Sequence, residues 1–358
     1  MENMYASIAA RTGGNIYMGV VGPVRTGKST LIKRIMEQMV IPNIHEPYRK
    51  ERARDELPQC GSGRTIMTSE PKFIPEEAVE ISPDGTTVLS VRMIDSVGYM
   101  IEGAVGADED GIPRMVTTPW YDYEIPMTDA AELGTKKVME EHCTIGIVVT
   151  TDGTVTDIPR NDYVDAEQRA ISDMKRTGKP YIVIINSKNP SGEAAKEVLH
   201  SIKNNFGIEA MITDCQSLDL DDITEMLKKL LYSFPLQTLY VNMPRWMDAL
   251  ENDNEVKYKL YQTLLSNYKE ITTLAHADMI LQGLKELDSV QDYSLRTIDL
   301  ASGTVHLSLS FPETLFYNIL SSKAGITIED DAQLLALLAE LSTIKSEYEK
   351  ISDALSSV

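Results

Sequence analysis

Basic residues are scarce in this chain: 34 Lys and Arg stand against 54 Asp and Glu, a formal net charge of −20. Neutralising a nucleic-acid backbone takes clustered Lys and Arg, so a nucleic-acid-binding surface is not expected. The same balance argues against docking on anionic lipid. Cysteine is nearly absent, and Cys60, Cys143 and Cys215 are odd in number and widely spaced. That suits a reducing cytoplasm, and neither the cysteines nor the five histidines carry metal-ligand spacing. No secretory leader opens the chain and no apolar run nears the length of a membrane span, so direct membrane insertion is not expected either. The bulk properties describe a soluble, acidic, cytoplasmic protein of 358 residues, long enough for two domains. A local basic site can still sit inside it, so a nucleotide is not excluded.

What is present begins with Gly22-Pro23-Val24-Arg25-Thr26-Gly27-Lys28-Ser29-Thr30. It follows an apolar run at 16–21 and opens a helical pattern at 31–39, the strand–loop–helix context in which G-x-x-x-x-G-K-[ST] cradles phosphates. The loop glycines let N–H groups turn around an anion, and the helix N-terminus adds its positive end. Lys28 would reach the β- and γ-phosphates and Ser29 would offer its hydroxyl to Mg²⁺. Downstream, a Thr-bearing loop with Thr68 and Ser69 precedes a hairpin at 78–94, whose second strand ends in Asp95-Ser96-Val97-Gly98. After a P-loop, such an Asp orders Mg²⁺-bound water, and the Gly N–H contacts the γ-phosphate.

The remaining pattern alternates strands and helices. Apolar strands at 144–149, 181–185 and 210–213 alternate with helices at 128–141, 165–176, 194–205 and 221–231. Continuous apolar strands between helices specify an α/β fold with a doubly wound, mostly parallel sheet, and the motifs fall at strand C-termini. Residues 99–127 read as a long irregular segment in which Trp120, Tyr121 and Tyr123 form an interface patch, a flap or a small satellite core. The charged stretch 46–57 reads best as a solvated helix with paired charges; the alternative is that Arg49, Arg52 or Arg54 meets a nucleotide or another subunit. The pattern changes after Pro235 and Pro244, giving a P-loop domain at 1–237 and a smaller α+β domain at 238–358. In the second domain His276 and His306 are isolated and read as packing or surface residues. Its last helix, 331–355, carries Leu334, Leu337, Leu341, Ile344, Tyr348, Ile351 and Leu355 at alternating spacings of three and four. That is a heptad seam, read first as core-facing and otherwise as a self-association seam.

Three residues bear on the nucleotide and its hydrolysis. P-loop GTPases carry N-K-x-D after a buried strand, its Asp accepting hydrogen bonds from guanine. Here the stretch is Asn186-Ser187-Lys188-Asn189, and the Asn189 amide both donates and accepts, which favours adenine. Tyr99 follows Gly98 where Ras-like proteins carry a water-orienting Gln, so intrinsic hydrolysis should be slow. A charge-stabilising Arg would come from Arg25 or from the Arg49–Arg54 run, in cis or from a neighbour.

At this point the chain resembles the stage IV sporulation protein A family, the spore-coat morphogenetic ATPases of endospore-forming Firmicutes. The stretches that carry the resemblance are 11–17, 22–29, Asp55-Glu56-Leu57-Pro58, 65–73, Asp95–Tyr99, Thr118-Pro119-Trp120-Tyr121 and 145–154. The resemblance implies a translation-factor-type (TRAFAC) GTPase-like fold that uses ATP and Mg²⁺. It implies hydrolysis that drives irreversible self-assembly into a static basement layer around the forespore, on its mother-cell side. By position, Lys28 is then the P-loop lysine, Gly22, Arg25, Thr26, Gly27, Thr30, Gly98, Asn186, Lys188 and Asn189 complete the nucleotide site, and Ser29, Asp95 and Thr68 serve the metal. Thr68 and Ser69 would be paired sensor hydroxyls, although the family carries Thr at both. Family members continue beyond the point where this chain stops, so it is expected to lack their C-terminal region. Through that region the family is implied to meet a small amphipathic forespore-membrane peptide and other coat morphogenetic proteins. The competing reading is a GTPase-type switch that binds effectors without polymerising.

Overall fold

The structure, a computed structural model, describes residues 3–58, 70–101, 108–109, 112–271, 273–285 and 287–356. In chain order it opens with α1 (Met4–Thr12), β1 (Asn15–Val21), α2 (Lys28–Ile35), α3 (Pro47–Asp55), β2 (Lys72–Ile81) and β3 (Leu89–Asp95). Two small hairpins follow, β4 (Asp108–Glu109) with β5 (Ile112–Pro113), and β6 (Met115–Thr118) with β7 (Tyr121–Pro126). Then come α4 (Met127–Lys137), β8 (Ile145–Thr151), α5 (Val164–Arg176), β9 (Tyr181–Asn186), α6 (Glu193–Phe206), β10 (Ala210–Thr213) and α7 (Leu220–Tyr232). Six strands form one sheet in the order β10-β9-β8-β1-β3-β2, parallel throughout except for the edge strand β2. This is the expected α/β P-loop architecture.

The sheet is parallel because its central strands are apolar on both sides. Every residue of β8 and of β9 is buried. Side chains alternate across a strand, so each strand serves two cores. Ile147, Val149, Ile182 and Ile184 pack with Ile8 of α1, Leu31 and Ile35 of α2, and Ile223 and Leu230 of α7. Val148, Val183 and Ile185 pack on the opposite face with Ala170 and Ile171 of α5 and Val198 and Ile202 of α6. Each fully buried aliphatic side chain of this kind contributes about 1.5–3 kcal/mol. The start of α7 is fixed by a capping box, Asp219 accepting from the Asp222 N–H and Asp222 accepting from the Asp219 N–H.

One sequence expectation is corrected in this unit. Residues 99–127 are not irregular throughout, since β6 and β7 pair from Met115–Pro126 to Thr118–Tyr121. Their strand residues are mostly exposed, so no apolar periodicity announced them. Trp120 packs against Gly134 of α4 beside Pro71, whereas Tyr121 and Tyr123 are exposed and their rings meet at a tilt, centroids 5.1 Å apart. On α3, Arg49 pairs with Glu46 at 2.8 Å and Arg52 with Glu56 at 2.7 Å, the solvated ion-pair face that was preferred.

The chain divides into two compact units, Met1–Thr238 with Thr273–Ala275 and Ile298–Thr304, and Leu239–Thr272 with His276–Thr297 and Val305–Val358. A single cut at 237/238 misses the two short returns. They belong to the first unit because the Leu274 N–H donates to the Phe234 carbonyl and the Gln237 N–H to the Gly303 carbonyl.

The second unit contains a sheet ordered β11 (Thr238–Asn242), β13 (Thr304–Ser310), β12 (Asp292–Asp299). Its helices are α8 (Glu255–Glu270), α9 (Ala277–Leu284), α10 (Glu313–Ala324) and α11 (Asp331–Ser356). Trp246 meets Phe311 edge-on at 5.8 Å and Phe316 at a tilt at 5.7 Å. His306 stacks on the exposed Tyr240 ring, a surface role as read from the sequence. The core-facing reading of α11 is overturned: Leu341, Ile344, Tyr348 and Ile351 are 47–70% exposed. Among the described residues no helix is long and apolar enough to cross a membrane.

Candidate nucleotide site

β1, β3, β9 and β10 all end at one edge of the sheet, and there the loops enclose a cleft of about 1040 Å³. In a doubly wound sheet this carboxyl edge is where ligands bind. Among the described residues six cationic side chains line the cleft, Arg25, Lys28, Lys33, Arg34, Lys72 and Lys188, together with six acidic ones, Glu37, Asp55, Glu56, Glu70, Asp95 and Asp214. The cations a phosphate needs are thus gathered here, in a cleft whose formal charges balance.

The loop from Gly22 to Gly27 turns β1 into α2. Gly22 has φ +132, and a Cβ there would sit 2.2 Å from the Val149 carbonyl oxygen of β8, so no other residue fits. The loop is braced from three directions. The Thr26 hydroxyl donates to the Pro23 carbonyl at 3.0 Å, the Asn186 amide donates to the Thr26 carbonyl at 2.9 Å, and the Val24 N–H donates to the Tyr99 carbonyl at 2.9 Å. Asn186 also accepts from the Cys215 N–H at 3.0 Å, tying the loop to the end of β10.

Lys28 is buried at the floor of the cleft, and its ammonium donates to the Pro23 carbonyl at 2.7 Å and, longer, to that of Gly22 at 3.4 Å. Burial pushes it down to about 8, with Asp95 pulling it up and Arg25 pushing it further down. The Ser29 hydroxyl donates to Asp95 Oδ2 at 2.6 Å. Asp95 Oδ1 and the Ser96 hydroxyl are buried and have no hydrogen-bond partner among the described residues. Burial raises the Asp95 pKa, while the Ser29 hydrogen bond and Lys28 oppose the rise. An orphaned carboxylate oxygen beside a hydroxyl and a buried lysine fits Mg²⁺, which takes one or two protein oxygens and completes its shell with phosphate and water. No cluster of three or more His, Cys, Asp or Glu among the described residues offers an all-protein metal cage.

The remaining candidates divide. Arg25, Gly27, Thr30 and Lys188 line the cleft with the residues above. Arg25 holds a left-handed backbone, φ +66, which is strained for a side chain with a Cβ. The Gly98 N–H donates to the Thr135 hydroxyl at 3.1 Å, so meeting a γ-phosphate requires that bond to break. A Cβ at Gly98 would stand 2.5 Å from Lys28 Nζ. Asn189 is exposed, lies outside the cleft lining, and its amide packs over Gly192 of its own turn. Ser187, in the position of the base-covering Lys, is fully buried and donates to Asp152 at 2.6 Å. Asp214 and Gln216 line this end of the cleft instead and were missed; the signal was their place just after β10. Thr68 and Ser69 lie outside the described residues.

The family description "Stage IV sporulation protein A, ATPase domain" matches residues 1–235, and "Stage IV sporulation protein A, middle domain" matches 236–358. The chain belongs to the stage IV sporulation protein A family. It is 43% identical to stage IV sporulation protein A of Clostridioides difficile (strain 630) over 354 residues, 99% of this chain and 72% of the relative. Stage IV sporulation protein A of Bacillus anthracis is 40% identical and that of Bacillus subtilis (strain 168) 39%, each over the same shares. Identity this high over nearly the whole chain establishes membership, and the family found is the one the motifs implied. The cleft lies wholly within the stretch matched as an ATPase domain, so this is an ATPase of a sporulation family.

Proposed function

We propose that the chain binds Mg²⁺-ATP in this cleft, hydrolyses it slowly, and couples hydrolysis to self-assembly into the basement layer of the spore coat, on the mother-cell side of the forespore surface. The observation that carries the nucleotide part is the convergence of Lys28, Ser29 and Asp95 on one cleft, with an unpartnered carboxylate oxygen beside the lysine. The loop N–H groups and the start of α2 receive the phosphates. Lys28 exchanges the Pro23 carbonyl for the β- and γ-phosphates, and the Thr26 hydroxyl keeps that carbonyl satisfied, so the loop holds its shape. Ser29 and Asp95 would hold Mg²⁺, which when bound would supply charge neutralisation for the transferred phosphoryl group. Lys188, Asp214 and Gln216 flank the base. Thr68 and Ser69 serve as sensor hydroxyls by family position. Slow turnover follows from Tyr99, whose buried phenol cannot orient the attacking water.

The test compares hydrolysis of ATP and GTP across protein concentration, with sedimentation in parallel, for the parent chain and Lys28→Ala. ATP is expected to be hydrolysed in preference and to produce sedimenting polymer. Lys28→Ala should lose turnover by about 10²–10³, the effect of removing one transition-state donor, and should not assemble. Tight GTP binding without ATP hydrolysis would overturn this reading in favour of a switch GTPase. Normal assembly by Lys28→Ala would reduce the cleft to a structural role.

A further inference from the structure

α11 is 26 residues, about 39 Å long, and its apolar stripe is bare where its own domain would have to cover it. Leu334 and Leu337, in the first turns, are half-buried; Leu341, Ile344, Tyr348 and Ile351 are exposed. Three-then-four spacing makes Leu334, Leu341, Tyr348 and Leu355 the a positions and Leu337, Ile344 and Ile351 the d positions. Glu340 and Glu347 then fall at g, and Leu338 and Lys345 at e.

We propose that α11 is an interface with other copies of this chain, packing parallel and in register in a bundle of more than two helices. The proposal rests on the self-assembly reading and names its surface. Three features select this occupant. In a parallel, in-register pair a g residue meets the e residue of the next heptad on its neighbour, which brings Glu340 to Lys345; an antiparallel pair would set Glu against Glu. Leu at a with Ile at d favours trimers and tetramers over dimers, and Leu338 at e widens the stripe as such bundles require. A membrane surface is disfavoured, because the helix carries five acidic residues and two lysines. Among the described residues Lys345 forms an exposed pair with Glu349 at 3.8 Å, which costs little to exchange.

Sedimentation equilibrium of the full chain without nucleotide tests the stoichiometry. A trimer or tetramer is expected, falling to monomer in Ile344→Glu with ATP turnover unchanged. Ile344 is half-exposed, so the substitution leaves the fold intact. Orientation is read in Tyr348→Cys in a Cys60→Ser background, since Cys143 and Cys215 are buried. Oxidation should link copies through residue 348, which only a parallel register brings face to face. A monomeric parent, an Ile344→Glu variant of parental mass, or no link through residue 348 overturns the proposal. A chain that hydrolyses ATP yet never polymerises sinks the assembly reading and leaves the nucleotide-free bundle measurable. A chain whose ATP-driven polymer survives Ile344→Glu sinks the helix interface alone.

Discussion

The Tyr99 hydroxyl donates to the Asp173 carboxylate of α5 at 2.5 Å, with the Arg169 guanidinium over its ring at 5.3 Å. The backbone of Tyr99 meanwhile bonds to the P-loop at Gly22 and Val24. The residue after Gly98 thus joins the phosphate loop to α5 and turns its side chain into the core, where the phenol stays protonated because burial and Asp173 raise its pKa. Tyr99→Phe keeps the backbone bonds and leaves Asp173 its ion pair with Arg176. We expect the unfolding transition of the first unit to lose about 1–2 kcal/mol, with ATP turnover unchanged. Tyr99→Gln should not accelerate hydrolysis either. A faster Gln variant would show that this side chain reaches the attacking water after all.

Lys28 gives the site a pH dependence whose sign is fixed. Its ammonium titrates near 8, so the charged form that phosphates require is present below that pH and lost above it. Bound phosphates restore the charge, so binding above pH ~8 takes up a proton and affinity falls by up to about tenfold per pH unit. Titrating a fluorescent ATP analogue in EDTA from pH ~7 to ~9.5 measures this without metal. A flat profile would mean that Lys28 keeps its proton throughout.

How much of this could be read from sequence depends on how local each signal is. The P-loop is nine consecutive residues, and β8 and β9 announce themselves because strands buried on both faces are apolar without interruption. The bond from Asn186 to Thr26 spans 160 residues, and that from Gly98 to Thr135 depends on how α4 packs, so neither leaves a local trace. The β6–β7 hairpin was missed because both its faces are largely exposed. For α11 the heptad was legible, but the same spacing describes a helix against its own core and a helix awaiting partners. Only the exposure of Ile344 and Tyr348 separates them.

Asn186 and Asn189, three residues apart, should respond oppositely to the same substitution. Asn186→Asp replaces an amide donor with a carboxylate facing the Thr26 carbonyl, leaving a buried acceptor against an acceptor. The expected cost is about 1–3 kcal/mol in stability, with a matching loss of ATP affinity as the loop slackens. Asn189→Asp sits on an exposed turn outside the cleft, so the ratio of ATP to GTP affinity should stay within about threefold, under 1 kcal/mol. Conversion to GTP preference by Asn189→Asp would place that side chain on the base.

Arg25 is the residue best placed to supply transition-state charge from within the loop. It lines the cleft beside Lys28, whose ammonium it pushes down, and it does so at φ +66. A strained left-handed residue is retained only where the surroundings impose it, and such residues gather at functional sites. Arg25→Gly is therefore a clean test, since glycine adopts this φ without penalty and relieves about 1 kcal/mol of strain while deleting the guanidinium. The fold should be as stable or slightly more so, ATP affinity should change little, and turnover should fall by about 10³ or more. Parental turnover per subunit should also be independent of protein concentration, because the charge comes from the same chain. If turnover instead rises with concentration and Arg25→Gly hydrolyses like its parent, the arginine is donated by a neighbouring copy.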